Sequence, residues 1–166
     1  MTTFSEAMAE YRRQLTQGVI QQAYRGLMEY MSGLKTQLKA KYPDYQVSGS
    51  LYFGYMDMTY FSFTPPSLKD KGLKIAIVFV HESFSFEVWL SAANRALLAQ
   101  YEQLIKDKGW DQYRLVSAPE NPDAILVHTI TSDPDFSNLP ALSALIERET
   151  LAFSADVQAL LSAARD

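Results

Sequence analysis

The stretch that decides the fold runs from residue 73 to residue 91 and reads Leu73-Lys74-Ile75-Ala76-Ile77-Val78-Phe79-Val80-His81-Glu82-Ser83-Phe84-Ser85-Phe86-Glu87-Val88-Trp89-Leu90-Ser91. Its first part is almost continuously apolar, which is typical of a central strand covered on both faces. Glu82-Ser83 indicates a turn. The segment Phe84–Leu90 then alternates with the period of a strand, so that Glu87 and Trp89 lie together on one face.

Before this stretch, residues 48–63 are dense in aromatic side chains, and they predict two antiparallel strands joined by a turn at Gly54–Asp57. Further upstream, apolar residues recur at helical spacing from Phe4 to Leu15 and again from Ile20 to Leu38, which predicts two helices. The second apolar stripe would also suit a helical pairing seam, within this chain or between two chains.

After this stretch, we predict a helix that starts at Ser91 as its N-cap, two strands (113–116 and 124–130), and a last helix over 138–164. The element order is ααββββαββα. Runs of strands rather than strict βαβ alternation predict an α+β fold, with a mainly antiparallel sheet of about five to six strands packed with four helices. Because 166 residues can support one core and no linker is evident, we expect a single α+β domain over residues 1–166.

Composition excludes several classes of protein. The chain has no cysteine, which excludes disulfides and thiolate metal sites. No signal peptide is evident at the N-terminus, and no apolar run reaches the roughly 18 residues of a membrane span, so we expect a cytoplasmic protein without membrane association. Residues 1–45 carry six Lys or Arg against four Asp or Glu. That excess is too small to predict a basic face, and we expect no nucleic-acid partner.

The common catalytic and cofactor motifs are missing. The sequence contains no GxGxxG, GxxxxGK[ST], HExxH or GxSxG pattern, and we predict no cofactor. The only histidines, His81 and His128, could form a metal site with Glu82 or Asp57. Their spacing is not diagnostic of metal binding, and we predict no metal.

The most suggestive constellation combines Glu87 and Trp89 on one strand face with Asn94 and Arg95 in the first turn of the next helix. The helix dipole disfavours a cation at that position, so Arg95 is expected to have another use. One hypothesis is a pocket for an anion or polar ligand, with Trp89 as a flat wall. The alternative is an ion pair between Arg95 and Glu87 that ties the strand to the helix, with Trp89 packed beneath another helix.

Two weaker patterns involve the aromatic segment and an acidic pair. Tyr52 and Tyr60 are further candidate ligand-binding residues, because exposed aromatic side chains can stack on bases. However, no Lys or Arg occurs from residue 47 to residue 67, and this favours core packing instead. Asp57 and Glu87 are loosely similar to the acidic residues of restriction-type nucleases, although the lysine expected two positions after the second acid is replaced by Trp89.

The segments Lys74–His81 and Phe86–Ser91, followed by Asn94-Arg95, resemble a family of uncharacterised bacterial proteins, a domain of unknown function. The resemblance implies a bacterial cytosolic origin and no assigned activity. Our leading hypothesis is a non-enzymatic ligand-binding or protein-interaction module that forms a homodimer. The second is an enzyme that acts on a small anionic metabolite at the face of Glu87, Trp89 and Arg95, and the third is a degenerate nuclease-like or nucleic-acid-binding domain.

Overall fold

A computed structural model describes residues 1–117 and 119–163. Ala118 and residues 164–166, which include the predicted end of the last helix, lie outside the described residues. The chain divides into two compact units, residues 1–34 and residues 35–166. The expectation of a single domain over residues 1–166 stays a prediction.

The first unit contains helix α1 (Phe4–Thr16) and the beginning of α2 (Val19–Lys41), as the helical spacing predicts. Thr3 caps α1: its hydroxyl accepts a hydrogen bond from the backbone N–H of Glu6, and the Glu6 carboxylate accepts one from the N–H of Thr3 (2.7 Å). Gly18 separates the two helices with a φ of 75°, a left-handed conformation that glycine adopts readily. All residues of α1 are described, and none of them is buried.

The second unit is built on a six-stranded antiparallel sheet in the order β1-β2-β3-β4-β6-β5. Its strands are β1 (Gln46–Val47), β2 (Met58–Thr64), β3 (Leu73–Val80), β4 (Ser85–Ala92), β5 (Arg114–Leu115) and β6 (Leu126–Thr131). Its remaining helices are α3 (Pro66–Lys69), α4 (Arg95–Asp107) and α5 (Leu139–Ala163). The predicted α+β class is confirmed. The one-turn helix α3 was not predicted; proline is tolerated in a first helical turn, where its missing N–H has no helical partner.

Strands β3 and β4 lie at the centre of the sheet and are buried on both faces, as the apolar run predicts. One face carries Ile77 and its cross-strand partner Val88, and α5 covers this face through the buried side chain of Phe153. The Phe153 ring lies 4.8 Å from the ring of Tyr113 and 6.4 Å from that of His128. The opposite face carries an apolar cluster that includes Ala76, Val78, Trp89 and Val127.

The first strand of the predicted aromatic hairpin is mostly absent. The turn lies where it was predicted, with positive φ at Gly54 and Met56. On the side of β2 opposite β3, however, the only pairing among the described residues is with the two-residue strand β1 and through an isolated bridge between Tyr52 and Tyr60. The Ser48 hydroxyl accepts a hydrogen bond from the backbone N–H of Ser62 (2.6 Å). The backbone N–H of Ser62 is therefore bonded to a side-chain oxygen rather than to a strand carbonyl, and this interrupts the regular hydrogen bonding between the strands.

Two boundaries around β4 also differ from the prediction. Phe84 lies in the preceding turn, with a φ of 54°, rather than in the strand. At the other end, Ser91 is still paired with Lys74 in the sheet, and its hydroxyl donates to the carbonyl of Asp123 (2.5 Å). The helix therefore starts later than predicted, at Arg95, and its N-cap is Asn94.

Candidate functional site

A cavity of about 600 Å³ opens in the second unit on the sheet face that carries Trp89. Strands β2, β3 and β4 form its floor. Because strand side chains alternate between faces, each strand contributes every second residue: Tyr60 and Ser62, Lys74 and Ala76, Trp89 and Ser91. The rim is formed by Ser48, residues 50–52, the start of α4, and Pro122 with Asp123.

Trp89 is the largest side chain in the floor, and only 8% of its surface is exposed. Its indole Nε1 donates a long hydrogen bond to Glu87 Oε2 (3.3 Å). The predicted parity of the strand therefore holds, since both side chains project from the same face. Glu87, however, is not among the residues that line the cavity. Its carboxylate is instead the acceptor of the indole hydrogen bond.

Tyr52 and Tyr60 form the aromatic wall of the cavity. Their backbones exchange two hydrogen bonds (2.8 and 3.0 Å), and their ring centroids lie 4.9 Å apart. Lys35 supports the adjoining loop by donating to the carbonyl oxygens of Ser48 and Gly49. Burial raises the pKa of Tyr60, with smaller contributions from Tyr52 and Asp123, so the Tyr60 hydroxyl stays protonated at neutral pH.

Arg95 and Asn94 reach the cavity because α4 begins at its edge. The Ala93 N–H donates to the carbonyl of Gly72 (2.9 Å), and this hydrogen bond ties the segment before α4 to the residue that precedes β3. Asn94 has a capping role: its side-chain oxygen accepts from the backbone N–H of Leu97 (2.9 Å). Arg95, the first helical residue, lines the cavity and is exposed.

The charged side chains that line the cavity are Lys74, Arg95 and Asp123. Within the part of the chain that the structure describes, no ion pair involves any of these three side chains. The alternative in which Arg95 pairs with Glu87 is therefore wrong. The two cations and one carboxylate give the lining a net charge of +1, on a chain whose net charge is −4.

The other predicted acid–base residues lie elsewhere and serve local structure. Asp57 accepts hydrogen bonds from the backbone N–H groups of Met58 and Tyr55, and these hold its pKa below the usual range. Burial lowers the pKa of His81. His128 lies 3.1 Å from Glu149.

No group of three or more His, Asp or Glu side chains capable of holding a metal ion occurs among the described residues. The two-histidine metal site and the nuclease-like acidic site thus gain no support.

Five of the six predicted site residues meet in this cavity: Trp89, Asn94, Arg95, Tyr52 and Tyr60. Sequence reasoning missed Lys74 and Asp123. Lys74 had a signal, because it is the one charged residue inside an apolar strand. Asp123 had no such signal in the sequence, because it belongs to a loop whose position over the sheet is set by the tertiary structure. The assignment of these residues to ligand binding stays a prediction.

A protein-family model described as Domain of unknown function (DUF7000) matches residues 4–161. No curated protein and no solved structure matches the chain. The expected resemblance to a domain of unknown function is confirmed, whereas the bacterial origin and the cytoplasmic location stay predictions. Within the described ranges, no helix has both the length and the apolar character needed to span a bilayer.

Proposed function

The chain belongs to the DUF7000 family, and we propose that it is a non-enzymatic module that binds a small anionic ligand in the cavity beside Trp89. One observation carries this proposal: Arg95 and Lys74 line the same concave surface, and neither cation is paired within the described residues. A ligand anion would supply the missing counter-charge.

Helix α4 strengthens the attraction for an anion at the side of Arg95. The first N–H groups of a helix point outward and carry partial positive charge, so an anion at this end is favoured by both the dipole and the guanidinium. Trp89, Tyr52 and Tyr60 offer flat apolar surface to the rest of the ligand. The cavity volume falls within the usual range of roughly 300–1,000 Å³ for small-molecule sites.

Binding is favoured over catalysis because the lining is poor in acid–base groups suited to neutral pH. Among the described lining residues there is no histidine, and Glu87, which the enzyme hypothesis needs, lies outside the lining. Tyr60 is an unsuitable general base because its pKa is raised rather than lowered. The enzyme hypothesis therefore has less support than ligand binding.

We expect Arg95→Gln to weaken anion binding about tenfold or more, because a charge-assisted hydrogen bond contributes about 1.5–3 kcal/mol. The melting temperature should stay nearly unchanged, because Arg95 is exposed and has no ion pair among the described residues. Isothermal titration calorimetry with phosphate, citrate and benzoate measures the affinity, and thermal denaturation measures the stability.

The matched control is Arg25→Gln, which removes one exposed positive charge from α2; Arg25 is not among the residues that line the cavity. It should leave anion affinity unchanged. If Arg95→Gln lowers the melting temperature by many degrees, Arg95 is structural. If Arg95→Gln binds all three anions as the wild type does, the cavity is not the anion site.

Helix α1 supports a second candidate function, self-association. Phe4, Met8 and Tyr11 form an apolar stripe with Leu15, and Phe4 and Tyr11 are 82% and 52% exposed. An isolated helix of this length is marginal in water unless an apolar face is buried. We therefore propose that a second copy of the chain covers this stripe.

The charges of α1 suit an antiparallel pair of copies. Glu6 lies in its first half, Arg12 and Arg13 lie in its second half, and Glu10 at its middle pairs with Arg13 within the helix (2.6 Å). In a two-fold arrangement each acidic half therefore lies beside the basic half of the partner copy. The balanced charge of α1 also argues against an anionic membrane surface as the occupant, because helices that bind such surfaces are rich in Lys and Arg.

Tyr11→Glu is expected to convert a dimer into a monomer, because it places a charge in the middle of the apolar stripe. Light scattering after size exclusion should give twice the 18.8 kDa chain mass for the wild type and 18.8 kDa for the variant. Ala9→Glu, an exposed position on the other side of α1, is the control and should remain dimeric. A wild-type chain that is monomeric at high micromolar concentration would rule out this interface.

A further inference from the structure

The cavity contains a charge that simple anion binding does not use. Asp123 lines the same surface as Arg95 and Lys74, and its carboxylate takes part in no ion pair among the described residues. A ligand with negative charge alone would be repelled by this carboxylate. A cation on the ligand would remove the repulsion and would satisfy all three side chains.

Asp123 is held in place at the rim. Its backbone carbonyl accepts a hydrogen bond from the Ser91 hydroxyl (2.5 Å), and its backbone N–H donates to the side-chain oxygen of Asn121 (3.0 Å). Its charge also acts on Tyr60 in the cavity wall. The pKa of Tyr60 is raised mainly by burial, and Tyr52 and Asp123 make smaller contributions. The backbone of Asp123 is thus held at the rim, and its carboxylate and the oxygen of the protonated Tyr60 phenol can both accept hydrogen bonds from an ammonium group.

We infer that the ligand is a zwitterion, a small molecule whose acidic group is bound by Arg95 and Lys74 and whose ammonium group is bound by Asp123. An apolar or aromatic body joins the two groups and packs on Trp89. The two cations and one carboxylate of the lining fit a molecule with at least as many acidic groups as amines. This inference rests on the proposed function, since it names the chemical class of ligand for the same cavity.

Matched pairs of probes that differ only in an ammonium group test this inference. One pair is 6-aminohexanoate and hexanoate, and the other is phenylalanine and 3-phenylpropionate. Binding is followed by the fluorescence of Trp89 in a Trp110→Phe background, in which Trp89 is the only tryptophan. In at least one pair, the amino acid should bind about tenfold more tightly than the carboxylate that lacks the ammonium group.

The variant Asp123→Asn should remove this difference, while the affinity for the simple carboxylates stays the same or increases. Asp133→Asn, which neutralises an exposed carboxylate outside the cavity, should preserve the difference. A wild-type chain that binds both members of each pair equally overturns the zwitterion and leaves the anion site standing. An ammonium preference that survives in Asp123→Asn also overturns the inference, because the assigned partner is then wrong.

Failure of the proposed function gives a different result. In that case the wild-type chain binds neither the carboxylates nor the amino acids at millimolar concentration. It also shows no binding of phosphate, citrate or benzoate, the three anions used to test Arg95→Gln. This outcome overturns the zwitterion together with the anion site.

Discussion

Replacing Phe153 by alanine is expected to lower the free energy of unfolding by about 3–5 kcal/mol, the usual cost of deleting a buried aromatic ring. The Phe153 side chain is completely buried, and its ring contacts those of Tyr113 and His128. It lies on α5, the helix that covers one face of the central strands. Because small domains are stable by only about 5–15 kcal/mol, this loss is a substantial fraction of the free energy of unfolding.

Urea denaturation followed by circular dichroism measures this loss. Tyr55→Ala is the control, because that aromatic side chain is 96% exposed and its removal should change stability by less than about 0.5 kcal/mol. Phe153→Leu keeps most of the apolar volume and should lose clearly less than Phe153→Ala. A loss below about 1.5 kcal/mol for Phe153→Ala would show that α5 does not cover the sheet as described.

The second large effect is expected at Gly54, the turn residue that precedes β2. Gly54 has a φ of 68°, and a Cβ at this position would lie 2.4 Å from both the Asp57 Oδ1 atom and the backbone oxygen of Met58. The turn must rearrange to accept any side chain, so Gly54→Ala should cost about 2–4 kcal/mol through left-handed strain and the backbone clash. The same Cβ would lie 3.3 Å from the ring of Tyr52, which forms the aromatic wall of the cavity.

Gly54→Ala should therefore lose anion affinity as well as stability. Denaturation and calorimetry on the same preparation measure both losses. Gly49→Ala is the matched control in the same loop, because a Cβ there has no atom within 4 Å and the backbone conformation is ordinary. It should be neutral or slightly stabilising. If Gly54→Ala and Gly49→Ala show the same stability and the same anion affinity, the turn at Gly54 does not hold Tyr52 in place.

Much of the fold could be predicted from the sequence because its decisive signals are local. The apolar run of β3 and the alternation of β4 placed Glu87 and Trp89 on one face, and the structure agrees. The conformation at Gly54 and the helical stripes of α1 and α2 are equally local, since they depend on residues within a few positions of one another. These features follow from backbone periodicity and steric limits.

Other features could not be predicted because they depend on competing long-range contacts. Ser91 is a good N-cap by residue type, yet it pairs with Lys74 and bonds to Asp123, so the helix begins later. Similarly, the hydroxyl of Ser48 competes with a strand hydrogen bond and leaves the first hairpin strand incomplete. Local residue preferences do not reveal which of two acceptable hydrogen-bond partners will be nearby.

The sequence by itself determined the fold class, the face on which Trp89 lies, and the presence of a cation at the start of α4, because each depends on the spacing of neighbouring residues. Only the tertiary structure decided that Arg95 does not pair with Glu87 and that Lys74 and Asp123 line the same cavity. The physical reason is that ion pairs and cavities depend on distances between residues far apart in the chain, which periodicity does not encode.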